Sequence, residues 1–280
     1  MKTTKPPLPF LGNKRNALRN YKKVLIELKE NGLINENTLM LDLYGGSGLL
    51  SHIAKQMLPH NEVIWNDYDN YQERLNHIAD TEKLRQDLRD FINLNIKDAP
   101  DYKKAFTKEQ KEIIITFLTE YEKNNYIDFI TLSSSLLFGG TYENTLENLA
   151  KHKFFNSITK TEIKINNYLQ GVTRVYDLAE NLMKKYKNHK NKLLILDPPY
   201  LQTIVGNYKQ SFTLSQFLNM FKHITKPYVL FGSKRSDILP FFEFFKEFNH
   251  EIQNFTYKQG LLSINSDYDY IIYPQPSLLL

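Results

Sequence analysis

The chain has no cysteine. That excludes disulfides, thiolate metal sites and cysteine nucleophiles, and it fits a reducing compartment. No apolar run approaches the roughly 20 residues of a membrane span, so no membrane partner is expected. The stretch Met1-Lys2-Thr3-Thr4-Lys5-Pro6-Pro7 lacks the apolar core of a secretory signal. Internal repeats and low-complexity tracts are missing, and the scattered histidines form no zinc pattern. Glycine is scarce, 11 of 280 residues, and three of them fall within Gly45-Gly46-Ser47-Gly48, where they let the backbone come close to a ligand, although a glycine turn alone is a common structural device.

What is present describes a globular protein. Hydrophobic residues make up 41% and charged residues 24%, enough for a sizeable core in one large domain or two. The net charge of +5 and pI near 9.0 lean mildly towards a polyanionic partner.

The chain is organised around Leu193-Leu194-Ile195-Leu196-Asp197-Pro198-Pro199-Tyr200. The aliphatic run reads as a strand buried on both faces of a parallel sheet. The prolines end it, since neither can donate to a ladder, and Asp197 is pushed to extended geometry by the proline after it. A carboxylate, a free Pro198 carbonyl and an aromatic ring are thus gathered at a strand end, where open α/β sheets collect ligands. An exocyclic amine of a nucleobase is a poor nucleophile because its lone pair is delocalised. Asp197 and the Pro198 carbonyl can accept its two hydrogens and favour charge on nitrogen as a bond forms. Tyr200 can stack on a base taken out of the duplex. An aspartate of ordinary low pKa passes the proton on to water.

Upstream, Leu39 to Tyr44 reads as a strand running into the glycine turn, with a helix over Leu49 to Met57. This is a nucleotide or nucleoside cradle, but it lacks the lysine of a phosphate loop and the third glycine of a dinucleotide site. Asp67 ends the next strand about 20 residues on, where an acid can hold a ribose diol. Asp69 is the alternate, or a helix cap. Gly12 allows a tight turn after Phe10, Asn13 can cap the helix from Lys14 to about Gly32, and that helix start can hold a carboxylate.

The pattern predicts helices over Asn70 to Leu94, in the Lys103, Lys104, Lys108 and Lys111 stretch, and over Val172 to Lys187. Strands are predicted at Tyr228 to Ser233 and in a hairpin over Tyr257 to Tyr273, with a helix over Ile238 to Phe248 between them. A mobile loop is expected over Leu201 to Ser211, and a helix capped by Thr213 or Ser215 after it. Between them, Ser133-Ser134-Ser135 and the basic, aromatic run Lys151-His152-Lys153-Phe154-Phe155 suit base and phosphate contacts.

Phe10-Leu11-Gly12-Asn13-Lys14, Tyr44-Gly45-Gly46-Ser47-Gly48 and Asp197-Pro198-Pro199-Tyr200, in this order, resemble the DNA adenine methyltransferases of the Dam type, the α-group of amino-methyltransferases. Ser211-Phe212-Thr213-Leu214 is similar too. The resemblance implies an α/β, Rossmann-like class I methyltransferase fold with a mostly helical inserted target-recognition lobe. The catalytic domain would comprise residues 1–94 and 175–280, and the recognition region residues 95–174. S-adenosylmethionine is the implied methyl donor, with no metal. Its contacts would be Phe10, Gly12, Asn13, Lys14, Asp42, Tyr44, Gly46, Gly48, Asp67, Tyr68 and Asp197. Asp197, Pro198, Pro199 and Tyr200 would form the catalytic set, and Ser134, Ser135, Lys151 and Lys153 would meet DNA. Double-stranded DNA is the implied partner, without an obligate protein partner, in a prokaryotic or phage-infected cytoplasm.

The expected reaction is methyl transfer to the 6-amino group of adenine in DNA. Phe10 stands where many relatives have tryptophan and Tyr44 where they have phenylalanine. Ser133-Ser134-Ser135 occupies the place of an Asn-Arg pair that relatives reading a short palindrome often carry. Cytosine 4-amino groups in DNA and adenine in RNA stay open as acceptors, as does a DNA-binding relative without catalysis. A nucleotide-dependent oxidoreductase would rest on the glycine turn alone.

Overall fold

The computed structural model describes residues 5–12, 14–199, 213–233, 238–248, 255–261 and 268–274. Asn13, Tyr200 and the loop expected over Leu201 to Ser211 lie outside the described residues. In chain order, a 3-10 turn at Arg15–Ala17 leads into α1 (Leu18–Glu30), then β1 (Leu39–Asp42), α2 (Leu49–Met57) and β2 (Val63–Asn66). Next come α3 (Tyr71–Asn76), α4 (Ile78–Asn95), α5 (Lys108–Glu122), α6 (Phe129–Leu136) and α7 (Leu146–Ala150). The chain continues with β3 (Thr173–Val175), α8 (Ala179–Lys185), β4 (Lys192–Leu196), α9 (Leu214–Phe221) and β5 (Tyr228–Ser233). It closes with α10 (Ile238–Phe248), β6 (Phe255–Leu261) and β7 (Tyr268–Pro274).

Contacts divide the chain into two units. The first holds Met1–Lys5, Asn13–Tyr71 and Asn167–Leu280. Its sheet has the order β3-β2-β1-β4-β5-β7-β6. β3, β2, β1, β4 and β5 are parallel, and β7 is antiparallel to both neighbours. The expected Rossmann-like α/β fold is therefore present. Side chains alternate across it. Leu41, Ile64, Leu194, Leu196 and Leu230 share one cluster with Leu182 of α8, Phe217 and Met220 of α9, and Ile238 and Phe242 of α10. On the other face α1 buries Tyr21, Val24, Leu25 and Leu28, with the Tyr21 ring 5.6 Å from that of Phe231. Each such large side chain contributes about 1.5–3 kcal/mol by leaving water.

The register positions the chemistry. β1 pairs with β4 so that Asp42 stands opposite Ile195. Asp197, two residues beyond Ile195, thus lies just past the same sheet end as Asp42.

The second unit, Pro6–Gly12 with Gln72–Asn166, builds its own core from Leu84, Leu88, Phe106, Ile114, Leu118, Leu132 and Phe154 among others. Its main polar brace is the buried pair Arg74–Asp128. Arg74 Nε and Nη2 each donate at 3.0 Å to one oxygen of Asp128, which also caps α6 through Thr131.

Several local expectations change. Val172 to Lys187 is not one helix: Thr173–Val175 pairs with β2, and the helix starts only at Ala179. The stretch from Asn70 to Leu94 breaks at His77, which flanks α4. Lys103 and Lys104 precede α5, whose start is fixed by a reciprocal capping box between Thr107 and Gln110.

Candidate active site

The glycine turn is held from three sides. Gly46 and Gly48 have φ of +47° and +77°, backbone that other residues adopt only under strain. The Gly48 amide donates to the Gly45 carbonyl at 2.7 Å, closing the turn. A Cβ on Gly45 would collide with the Trp65 indole. The turn is therefore packed as well as flexible by composition.

Asp42, at the end of β1, is fully buried. Oδ2 accepts from the Ser51 hydroxyl at 2.6 Å, while Oδ1 has no hydrogen-bond partner among the described residues. Burial pushes its carboxyl up to about 7, and the nearby Asp197 carboxylate adds to the rise. Asp197 lies 2.8 Å through Oδ1 from Lys14 Nζ, with side chains only 14% and 7% exposed. Burial raises the Asp197 pKa above the usual carboxylate range, and Lys14 pulls it back only in part. The expected low-pKa aspartate is corrected accordingly: Asp197 holds a proton more readily than an exposed carboxyl does. Pro198 is buried, and no backbone hydrogen bond reaches its carbonyl among the described residues.

Lys14, Asp42, Gly46, Gly48 and Asp197 thus belong to one unit, with Lys14 and Asp197 in direct contact. Tyr44 is half-buried, packed against the α8–α10 side of the core, and burial raises its phenol pKa. Asp67 is also fully buried: Oδ1 accepts from the Tyr71 amide at 2.6 Å and Oδ2 from Arg174 Nε at 2.7 Å. Tyr68 stacks on Tyr176 at 5.7 Å. Phe10 and Gly12 group with the second unit. Pro199 is half-buried beside Pro198, while Asn13 and Tyr200 fall outside the described residues.

In the second unit, Ser134 is exposed, whereas Ser135 is buried with its hydroxyl on the Thr131 carbonyl at 3.3 Å. Lys151 and Lys153 are exposed. Lys151 pairs with Glu147 at 3.1 Å, and Lys153 Nζ lies 5.9 Å from the centre of the Phe155 ring. Phe138, followed by two glycines at positive φ, is 71% exposed.

Two residues escaped the sequence reading. Asn66 clamps the sheet end, donating to the carbonyls of Leu43 and Asp177 at 2.9 Å each. Arg174, on the unexpected β3, braces Asp67. Both partnerships span about 100 residues, and no local pattern announces them. Among the described residues no helix is long and apolar enough to cross a membrane, and no group of three or more acids and histidines is set to hold a metal ion.

Comparison with known proteins follows the same lines. A Haemophilus influenzae protein, provisionally described as a methyltransferase, is 36% identical over 244 residues, covering 86% of this chain and 80% of its own length. The solved structure of a SAM-dependent methyltransferase from Agrobacterium tumefaciens aligns with 95% of this chain and 64% of its own, less than two thirds, at 11% identity and a TM-score of 0.40. The family model for D12 class N6 adenine-specific DNA methyltransferases matches residues 10–235, spanning both the glycine turn and Asp197-Pro198-Pro199-Tyr200. The chain belongs to the D12 class N6 adenine-specific DNA methyltransferase family.

Proposed function

We propose that this protein transfers a methyl group from S-adenosylmethionine to the 6-amino group of adenine at specific sites in double-stranded DNA. The observation that supports this most is the buried Lys14–Asp197 pair beside buried Asp42. Two acidic side chains face one ammonium in this corner, and the positive charge of a sulfonium donor would favour the ionised form of Asp42. The fit is chemical as well: Asp42 Oδ1 is a buried acceptor without a partner among the described residues, and Lys14 can meet a carboxylate. Lys14, Asp42, Gly46 and Gly48 would hold the donor. Asp67, kept in place by Arg174, would take the ribose.

When bound, S-adenosylmethionine supplies an electrophilic methyl carbon on a good leaving group. The chain does the rest. With Lys14 on Asp197 Oδ1, the other oxygen is left for one amine hydrogen, and the Pro198 carbonyl takes the second. Both acceptors stand where positive charge develops on nitrogen. The raised pKa lets Asp197 carry the departing proton before handing it to water. Ser134, Lys151 and Lys153 would contact DNA, and exposed Phe138, its ring 5.6 Å from that of Phe155, offers a stacking surface.

The test is product analysis. Protein incubated with methyl-labelled S-adenosylmethionine and duplex DNA should yield label in N6-methyladenine after digestion to nucleosides. Label in N4-methylcytosine, or in RNA alone, would move the acceptor to one of the alternatives.

A further inference from the structure

The segment that leads into β3 is strained and lies on the glycine turn. Asn167, Leu169 and Gly171 have φ of +60°, +60° and +74°. Two of these are not glycine, so backbone strain on the order of 1–3 kcal/mol each must be offset by contacts. Those contacts converge on one place. The buried Tyr168 hydroxyl donates to the Ser47 carbonyl at 2.9 Å. Leu169 packs its side chain where a Cβ of Gly48 would lie, within 2.7 Å of that position. The Leu169 amide donates to His52 Nδ1 at 3.2 Å, and the His52 and Tyr168 rings are 4.6 Å apart.

We infer that Tyr168 is a positioning residue for cofactor binding: by fixing the Ser47 carbonyl, with His52 anchoring the neighbouring amide, it holds the glycine turn in its binding shape. The inference rests on the S-adenosylmethionine reading above. A four-residue turn containing three glycines has many conformations available, and selecting one beforehand saves ordering entropy on binding. The anchor is built to persist at neutral pH. Burial lowers His52 to about 4, so the ring is neutral at pH 7 and its Nδ1, which faces the Leu169 amide, can accept; burial raises Tyr168, so its hydroxyl stays a donor.

The single tryptophan, Trp65, lies against Gly45 and gives a direct binding signal. S-adenosylmethionine titrated into the full chain, followed by Trp65 fluorescence or calorimetry, should bind Tyr168→Phe about tenfold more weakly than wild type, the scale of one orphaned buried carbonyl. kcat at saturating S-adenosylmethionine and KM for DNA should stay within about twofold, because the effect is confined to donor binding. His52→Leu should weaken binding similarly, and His52→Asn, whose amide oxygen can accept from Leu169, should retain it. The His52 pair decides the matter if Tyr168→Phe does not fold. Equal donor affinity in Tyr168→Phe and wild type, with or without a lower Tm, would overturn the inference alone. A wild type that binds no S-adenosylmethionine would overturn the cofactor reading and this inference with it.

Discussion

Two buried carboxylates, one in each unit, are bonded in opposite ways. In the second unit Asp128 is saturated: both oxygens bond Arg74, and Thr131 adds its amide at 3.3 Å and its hydroxyl at 2.6 Å. In the first unit Asp42 is equally buried, yet its Oδ1 has no hydrogen-bond partner among the described residues, and a second acid, Asp197, lies near it paired with Lys14. Folding alone favours the Asp128 arrangement, because an unpaired buried charge is costly. The Asp42 arrangement is what a site looks like when its chemistry needs an acceptor left over for a ligand. Side-chain saturation marks a brace, and incomplete saturation marks the place where something binds.

The sharpest way to break this contrast is to unpair the brace. Asp128→Ala should destabilise the protein by about 3–5 kcal/mol in urea melts, because Arg74 keeps a buried charge without its counterion. A loss under about 1 kcal/mol would show that Asp128 is no brace.

The site acid should behave in the reverse sense. Asp42 keeps its proton up to about pH 7 when folded and releases it near 3.8 when unfolded, so folding takes up a proton between those values. Stability should therefore fall as pH rises through that window, by up to about 4 kcal/mol at 1.36 kcal/mol per unit. Asp42→Asn should flatten that slope in the ligand-free protein, as read by Tm against pH. A slope unchanged by the substitution would place the titration elsewhere.

These two residues also show what the sequence could and could not disclose. β4, the glycine turn and the acid-proline stretch were legible because their signals are local: an aliphatic run, three clustered glycines, two ladder-breaking prolines. α2 and β5 likewise follow from periodicity within single elements. β3 was read as helix because Thr173-Arg174-Val175 is short and mostly exposed, so no apolar alternation identifies it. It exists through its pairing with β2. The brace Arg74–Asp128, the Arg174–Asp67 clamp and the Tyr168–Ser47 contact join positions 54 to 121 residues apart, and their residue types are ordinary surface types. The raised pKa of Asp197 was missed for the same reason, since burial is a property of the packed fold.

The smallest expected effect is at the surface of the second unit. Lys153→Ala should weaken duplex DNA binding and lower the log–log salt slope by about 0.9, one phosphate contact. Lys151→Ala should do less, because its ammonium is already shared with Glu147 and Asn148. Equal slopes in wild type and both variants would remove these lysines from the DNA interface.

The most direct measurement is a single-turnover assay of Asp197→Ala, with S-adenosylmethionine prebound and duplex DNA added. With the carboxylate gone, methyl transfer to adenine should slow by about 10³-fold or more while DNA affinity stays near wild type. Transfer at the wild-type rate would contradict the claim that the Asp197 carboxylate, held by Lys14 at the end of β4, makes the amine reactive.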